Sequence, residues 1–156
     1  MGQRVYSTFF DNVTVAAAQD VFLLKAGAAN GIEIHQIDLS AGGVTAPAEI
    51  RLRLKRLPAT VTNGSGGSAP TVSAIDSGDT KASTATVRVN DTTQATTSGT
   101  AVTLQAHQWN VLLPWQYLPS PEDREVIQAS EALILDIPAA PASTVVNGTI
   151  KWRELP

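Results

Sequence analysis

The sequence predicts an all-β fold, an antiparallel β-sandwich built as a single domain over residues 1–156. About eight short runs of β-branched and aromatic residues alternate with clusters of turn-forming residues, a spacing typical of sandwiches. No segment repeats apolar residues with the period of an amphipathic helix, so we expect at most a short helical turn. A jelly roll is one arrangement that such strands form.

The composition narrows the classes of partner and chemistry. The chain has no cysteine, which excludes disulfides, thiolate zinc sites and cysteine nucleophiles. Its net charge of -3 at pH 7 lacks the basic excess of nucleic-acid-binding proteins. No apolar run approaches the ~20 residues of a membrane-spanning helix. We therefore predict neither a nucleic acid nor a membrane as partner.

Two strands are predicted at the start of the chain. Residues 4–10 are β-branched and aromatic, and the following Asp11-Asn12 pair predicts a turn. Residues 20–25 are a compact apolar run and predict another strand. Because both residues of Asn-Gly tolerate positive φ, Asn30-Gly31 predicts a hairpin into the next strand.

The strand predicted over residues 31–40 contains a change of phase. Ile32 and Ile34 share one parity, whereas Ile37 and Leu39 share the other. A strand with a period of two residues places all four on one face only if one residue is inserted. We therefore predict a bulge or bend near His35, of the kind found where a strand passes between the sheets of a sandwich.

The clearest strand pattern runs from Glu49 to Arg56. Apolar and cationic residues alternate there, which predicts one buried face and one wet face. The predicted wet face is a row of three cations: Arg51, Arg53 and Lys55. This row is a candidate contact for an acidic protein surface or a phosphate backbone, and the alternative is an ordinary solvated strand face.

Residues 58–99 are dominated by Thr, Ser, Gly and Ala, and only residues 86–89 resemble a strand. Loops of this length are usually functional or disordered. We predict a long extended arm or loop insertion that contacts a neighbouring protein, with a flexible surface loop as the alternative. Its candidate interface residues are Asn63, Gly64, Ser65, Gly66, Gly67 and Ser68.

The stretch from Thr100 to Glu122 holds most of the large aromatic residues. We expect strands at 101–104 and 109–113, serving as the central packing strand of the core, and then a proline-rich corner. Trp115 and Tyr117 are interface candidates as well as packing residues, because Trp and Tyr often anchor interfaces. A helical turn is predicted at Ser120-Pro121. The last strands are predicted at 131–137 and 148–155.

No catalytic constellation is visible. His35 and His107 lack a Gly-x-Ser-x-Gly nucleophile and lack histidine partners at metal-binding spacing, so we expect structural histidines. A carboxylate pair for glycoside hydrolysis, drawn from the acidic clusters 76–79 and 122–125, stays open as an alternative. We predict a protein that is not an enzyme and binds no cofactor or metal.

Several short segments resemble a family of small, β-rich structural proteins of tailed bacteriophages. They are spread along most of the chain, at 18–22, 34–35, 66–71, 99–104, 106–111, 119–122, 148–149 and 154–155. These motifs are structural rather than catalytic. In size and β content the family is similar to capsid decoration, or cement, proteins.

The resemblance implies a non-enzymatic virion protein that binds the outer capsid surface and stabilises the mature head lattice. Its implied partner is the major capsid protein, and its implied assembly is a homotrimer. It would be made in the bacterial host cytoplasm and reside on the capsid exterior. Two alternatives stay open: a tail or head-tail joining protein, and a carbohydrate-binding module that uses Trp109, Trp115 or Trp152 as its sugar platform.

Overall fold

The computed structural model describes residues 4–156 and contains thirteen strands and one 3-10 turn. The strands are β1 (Val5–Val15), β2 (Gln19–Lys25), β3 (Ile32–Gly42), β4 (Glu49–Leu57), β5 (Val61–Thr62), β6 (Ser73–Ala74), β7 (Thr86–Asp91), β8 (Thr96–Thr97), β9 (Val102–Asn110), β10 (Trp115–Tyr117), β11 (Val126–Ile127), β12 (Ala132–Ile137) and β13 (Thr144–Glu154). The 3-10 turn is Pro121–Asp123.

The long strands form two antiparallel sheets that pack face to face. The first sheet has the order β10-β3-β13-β1-β6, and β11 also pairs with β3. The second sheet has the order β7-β2-β12-β4-β9. A separate pair, β5 and β8, joins the two ends of the Thr/Ser/Gly-rich segment. The predicted all-β antiparallel sandwich is confirmed.

One large apolar cluster fills the space between the sheets. At its centre the rings of Tyr6 and Trp152 stack at 6.0 Å, and those of Phe10 and Phe22 meet at 5.2 Å. A second, smaller cluster lies on the other face of the second sheet. Its residues alternate along the strands with those of the main core, and successive side chains of a strand point to opposite faces. Those residues are Leu23, Leu57, Val61, Ala132 and Ile134.

The predicted bulge at His35 is confirmed. Ile34 pairs with Trp152 and Gln36 with Lys151, so His35 is the inserted residue. The four apolar residues of β3 are all buried as a result. The expected passage of this strand between sheets is wrong, since β3 pairs along its whole length within the first sheet.

Two predicted turns are also wrong. β2 lies in the second sheet and β3 in the first, so Asn30-Gly31 connects the two sheets and does not form a hairpin. The Asp11-Asn12 pair does not end the first strand. It forms a bulge inside β1, where Asn12 adopts a φ of 54° and its N–H donates to Asn147 Oδ1 at 2.7 Å.

The prediction of a central strand within residues 100–122 is wrong. The two strands expected there are one continuous strand, β9, and it lies at the edge of the second sheet. Trp109 is its one fully buried side chain. A tight turn closed by Leu113 N–H donating to Asn110 O leads into β10. The predicted helical turn is confirmed at Pro121–Asp123, but Ser120 bonds the Asp123 side chain and does not cap the backbone.

Candidate interaction site

The Thr/Ser/Gly-rich arm, residues 58–99, is folded back onto its own domain. Val61 fills the small apolar cluster on the outer face of the second sheet, and Ala95 packs against that cluster. Farther along, Ser68 exchanges two backbone hydrogen bonds with Val89 at the β7 edge, of 3.0 and 2.9 Å. The arm then reaches the first sheet, where β6 pairs with β1. It therefore wraps one side of the sandwich from one sheet to the other.

Part of the predicted cationic row is bonded to a buried carboxylate of β12. Arg53 donates to Asp136 through Nε at 3.0 Å and a terminal nitrogen at 2.6 Å, and Lys55 Nζ lies 2.8 Å from the same carboxylate. Asp136 is 0% exposed. The prediction of a wet face is therefore wrong for Arg53 and Lys55, which are partly buried. Arg51 is exposed, and no carboxylate lies within 4.0 Å of it in the described chain.

Asp20 ties the second half of the arm to the sheet. Its carboxylate accepts the Ala95 N–H at 2.7 Å and a hydrogen bond from the Gln94 amide at 3.3 Å. Gln94 also reaches Asp136, which joins the two acids in one network. Burial raises the pKa of Asp20 to about 6; the Asp136 carboxylate adds to the rise, and the bond from Ala95 opposes it.

Asp91 fixes the glycine-rich turn. Its buried carboxylate accepts two hydrogen bonds from Arg88, at 2.7 and 2.6 Å, and one from the Gly67 N–H at 3.0 Å. A Cβ at Gly64 would collide with Thr93 O, and one at Gly67 would collide with Val89 O. Only residues without a side chain allow this close approach of backbone to backbone.

The six candidate residues Asn63–Ser68 thus form one ordered turn, which we name the latched turn. All of its residues except Gly64 are exposed. The end of the arm is held in the same way, because the Glu154 carboxylate accepts bonds from Ser83 Oγ at 2.7 Å and Thr84 N–H at 2.6 Å. Four carboxylates therefore hold an arm that has little apolar surface of its own.

Trp115 and Tyr117 lie on the opposite side of the sandwich, where β9 and β10 meet. Trp115 is half-buried and contacts the His107 ring edge-on at 5.3 Å. The Tyr117 hydroxyl donates to the Glu125 carboxylate at 2.5 Å. Burial, and after it this carboxylate, raise the pKa of the phenol. The eleven candidate residues therefore fall in three separate places and form no single site.

Both histidines have protein partners. His35 lies 3.1 Å from Glu33, within a cluster that includes Arg124 and Arg153. Burial, and then Arg124, lower the pKa of His35. Burial alone would raise the pKa of Glu33, but hydrogen bonds from the two arginines outweigh it and lower the pKa. The His107 ring lies 3.1 Å from the Gln105 side-chain oxygen.

Residues 4–156 contain neither a metal-binding cluster of side chains nor a membrane-spanning helix. No group of three or more histidine, aspartate or glutamate side chains is placed to hold a metal ion. No helix there is long and apolar enough to cross a membrane.

Sequence reasoning missed the buried aspartates Asp20, Asp91 and Asp136, which hold the arm. A signal was present for two of them. Asp20 opens a run of four apolar residues, and Asp136 stands between Leu135 and Ile137 in the most apolar strand of the chain. A carboxylate in such a run is buried, and buried carboxylates require cationic or N–H partners.

Comparison with known proteins found no match to any protein-family model, curated protein or solved structure.

Proposed function

We propose that this chain is a non-enzymatic structural protein of a tailed-bacteriophage virion, which binds the outer capsid surface and stabilises the mature head lattice. The proposal rests on the segments that resemble small phage proteins and on one structural observation. That observation is the latched turn, an exposed surface that the buried Asp91 carboxylate bonds to its own domain. The proposed partner is the major capsid protein.

A latched turn favours a function that depends on binding alone. Ordering a flexible loop on association costs free energy for each side chain and backbone unit that is immobilised. Here that cost is met on folding, by Asp91 bonding Gly67 and by Ser68 pairing with Val89. A ligand that binds only the assembled shell stabilises that shell by mass action, and repeated contacts on a lattice multiply the effect.

The test is binding to undecorated, expanded heads of the phage that encodes the chain. Ser65 is exposed in the latched turn, so Ser65→Arg and Ser65→Glu place a long side chain of either charge in the proposed contact. We expect both to weaken head binding by on the order of tenfold, or about 1.4 kcal/mol. Thr14→Arg and Thr14→Glu, in exposed positions on β1, are the matched controls and should bind as the wild type does.

Deletion of residues 60–85 is a poorer test. That segment includes Val61 of the small apolar cluster and the backbone oxygen of Lys81, to which the Tyr6 hydroxyl donates. Its loss would unfold part of the domain. If the protein is found instead in purified tails and not in heads, the tail or head-tail alternative replaces the proposal.

A carbohydrate-binding module is the second candidate. Trp109 and Trp152 are 2% and 0% exposed, so neither ring face is open to a sugar. Trp115 is half-buried and borders an open depression of about 510 Å³, which Asp38, Gln116 and Asn147 also line. Quenching of Trp115 fluorescence by a bound oligosaccharide, lost in Trp115→Ala, would favour this alternative.

A further inference from the structure

One long strand edge of the sandwich is left uncovered by the rest of the described chain. The β7 edge is bonded to Ser68, β1 pairs with β6 at Tyr6 and Ser7 and is broken by the bulge at Asn12, and β10 and β11 have three and two residues. In contrast, β9 has nine residues and pairs only with β4. Within residues 4–156, its one backbone hydrogen bond outside that ladder is Asn110 O accepting from Leu113.

The free edge has neither charged residues nor prolines to protect it, and its bulge lies near one end. Proteins guard exposed edge strands with charged residues, prolines or bulges, because bare edges pair with other strands. From Val102 to Asn110 the sequence contains no Asp, Glu, Lys, Arg or Pro. A bulge occurs at Leu104, but the register from Gln105 to Asn110 is unbroken. This six-residue stretch is therefore a ready template for backbone pairing.

Exposed apolar side chains stand at both ends of the same edge. Val102 begins β9 and is 38% exposed, while Leu112 and Leu113 follow its end and are 46% and 64% exposed. When two identical strands pair in antiparallel fashion, the start of each lies beside the end of the other. Pairing centred on the unbroken stretch therefore brings Val102 of one copy close to Leu112 and Leu113 of the second.

We propose that β9 pairs with β9 of a second copy of this chain about a twofold axis, joining the second sheets of the two copies into one continuous sheet. The occupant is a second copy because the edge is complementary to itself. No like charges oppose each other along the strand, and the apolar ends meet. The nearest exposed cation, Arg51, lies one strand away from the edge. The two copies of Arg51 are then three strand spacings, about 14 Å, apart and largely screened.

This pairing goes beyond the proposed function and does not rest on it. The latched turn lies at the β7 edge, and β7 and β9 are opposite edges of the same sheet, so the two contacts do not compete. A self-paired strand forms an isologous interface, which closes at two copies. The inference therefore predicts a dimer, whereas the resemblance to decoration proteins implies a homotrimer.

Sedimentation equilibrium of the purified chain tests the assembly directly. We expect the mass of a dimer for the wild type. Gln108→Glu places two carboxylates close to the axis and should raise the dimer Kd by on the order of tenfold. The variant should stay folded, because in the monomer the new carboxylate lies opposite exposed Arg51 of β4. A wild type that sediments as a monomer or a trimer overturns the proposal. A monomer is also the result expected if β9 pairs with a strand of a different protein, so that alternative is excluded by a dimer.

Cross-linking tests the register, and the absence of cysteine makes it unambiguous. In the register centred on Gln108, the two copies of this residue lie directly opposite each other at a Cα separation of roughly 4.5–5.5 Å, within the roughly 4.4–6.8 Å that disulfides span. Under mild oxidation, Gln108→Cys should form a disulfide-linked dimer. Thr14→Cys, on the far side of the molecule, should stay monomeric over the same time. Equal cross-linking of the two variants contradicts pairing through β9.

Discussion

Asp20 offers the sharpest test of how the arm is held. In Asp20→Asn the amide oxygen can still accept the Ala95 N–H, which lies 2.7 Å from the carboxylate in the wild type, so the contact is kept and only the charge is removed. Burial raises the pKa of Asp20 from 3.8 to about 6. Each pKa unit corresponds to about 1.4 kcal/mol, so ionising Asp20 in the folded protein costs about 3 kcal/mol at neutral pH.

The sign follows from the direction of the shift. A pKa that is higher in the folded state gives stability that is complete below pH 3.8 and is lost as the pH rises through about 6. The substituted protein lacks this loss. Its free energy of unfolding, relative to that of the wild type, should therefore increase by about 2.5 kcal/mol between pH 4 and pH 7.5.

Urea unfolding at half-unit steps from pH 4 to pH 8 measures this difference. Asp11→Asn, at an exposed position, is the matched control for loss of one negative charge. If the difference between wild type and Asp20→Asn is flat across this range, Asp20 is not buried as described. The statement that the buried Asp20 carboxylate holds the arm would then be wrong.

Three further predictions concern the arm and the buried tyrosines. Asp136→Ala leaves its two cations without their partner and should cost about 3–5 kcal/mol of unfolding free energy by urea titration, whereas exposed Arg51→Ala should change it by less than about 0.5 kcal/mol. Gly67→Ala places a methyl group against a strand carbonyl and should release the latched turn, seen as faster hydrogen exchange there and unchanged exchange in β3. Burial, and after it a nearby carboxylate, raise the pKa of both Tyr6 and Tyr117. Folded protein should therefore show less phenolate absorbance at pH 10.5 than unfolded protein, and the stability that the neutral phenols contribute should be lost as the pH rises further. Equal absorbance in the two states contradicts their burial.

The elements that sequence predicted well are those whose pattern depends only on neighbouring residues. The alternation from Ile50 to Leu54 identifies the buried face of β4, and the phase change in β3 locates the bulge at His35. Both follow from the two-residue period of a strand. They require no knowledge of which strand lies alongside.

Strand pairing was beyond such local signals. Asn30-Gly31 carries a hairpin signature, yet β2 and β3 bury their apolar faces from opposite sheets, and that packing decides the connection. The aromatic residues of 100–122 suggested a central strand, although β9 is an edge. Its aromatic and histidine side chains cover the end of the core, where Trp115 meets His107, rather than the middle.

The candidate site was located only in part for a related reason. The glycines of the latched turn are visible in the sequence, but the acids that hold the arm are distant in sequence from the residues they bond. Asp20 lies 75 positions before Ala95, whose N–H donates to its carboxylate. Loop composition alone therefore indicated a flexible arm, whereas long-range hydrogen bonds to buried carboxylates make it a fixed surface.

Head binding by the latched-turn variants tests directly whether the latched turn contacts the capsid surface. Purified wild-type protein is titrated onto undecorated, expanded heads, and bound protein is measured after sedimentation, alongside the Ser65 and Thr14 variants. The account predicts saturable binding by the wild type and the Thr14 variants, and binding weakened by on the order of tenfold in both Ser65 variants. Wild-type protein that remains in the supernatant, or Ser65 variants that bind as tightly as the wild type, would contradict it.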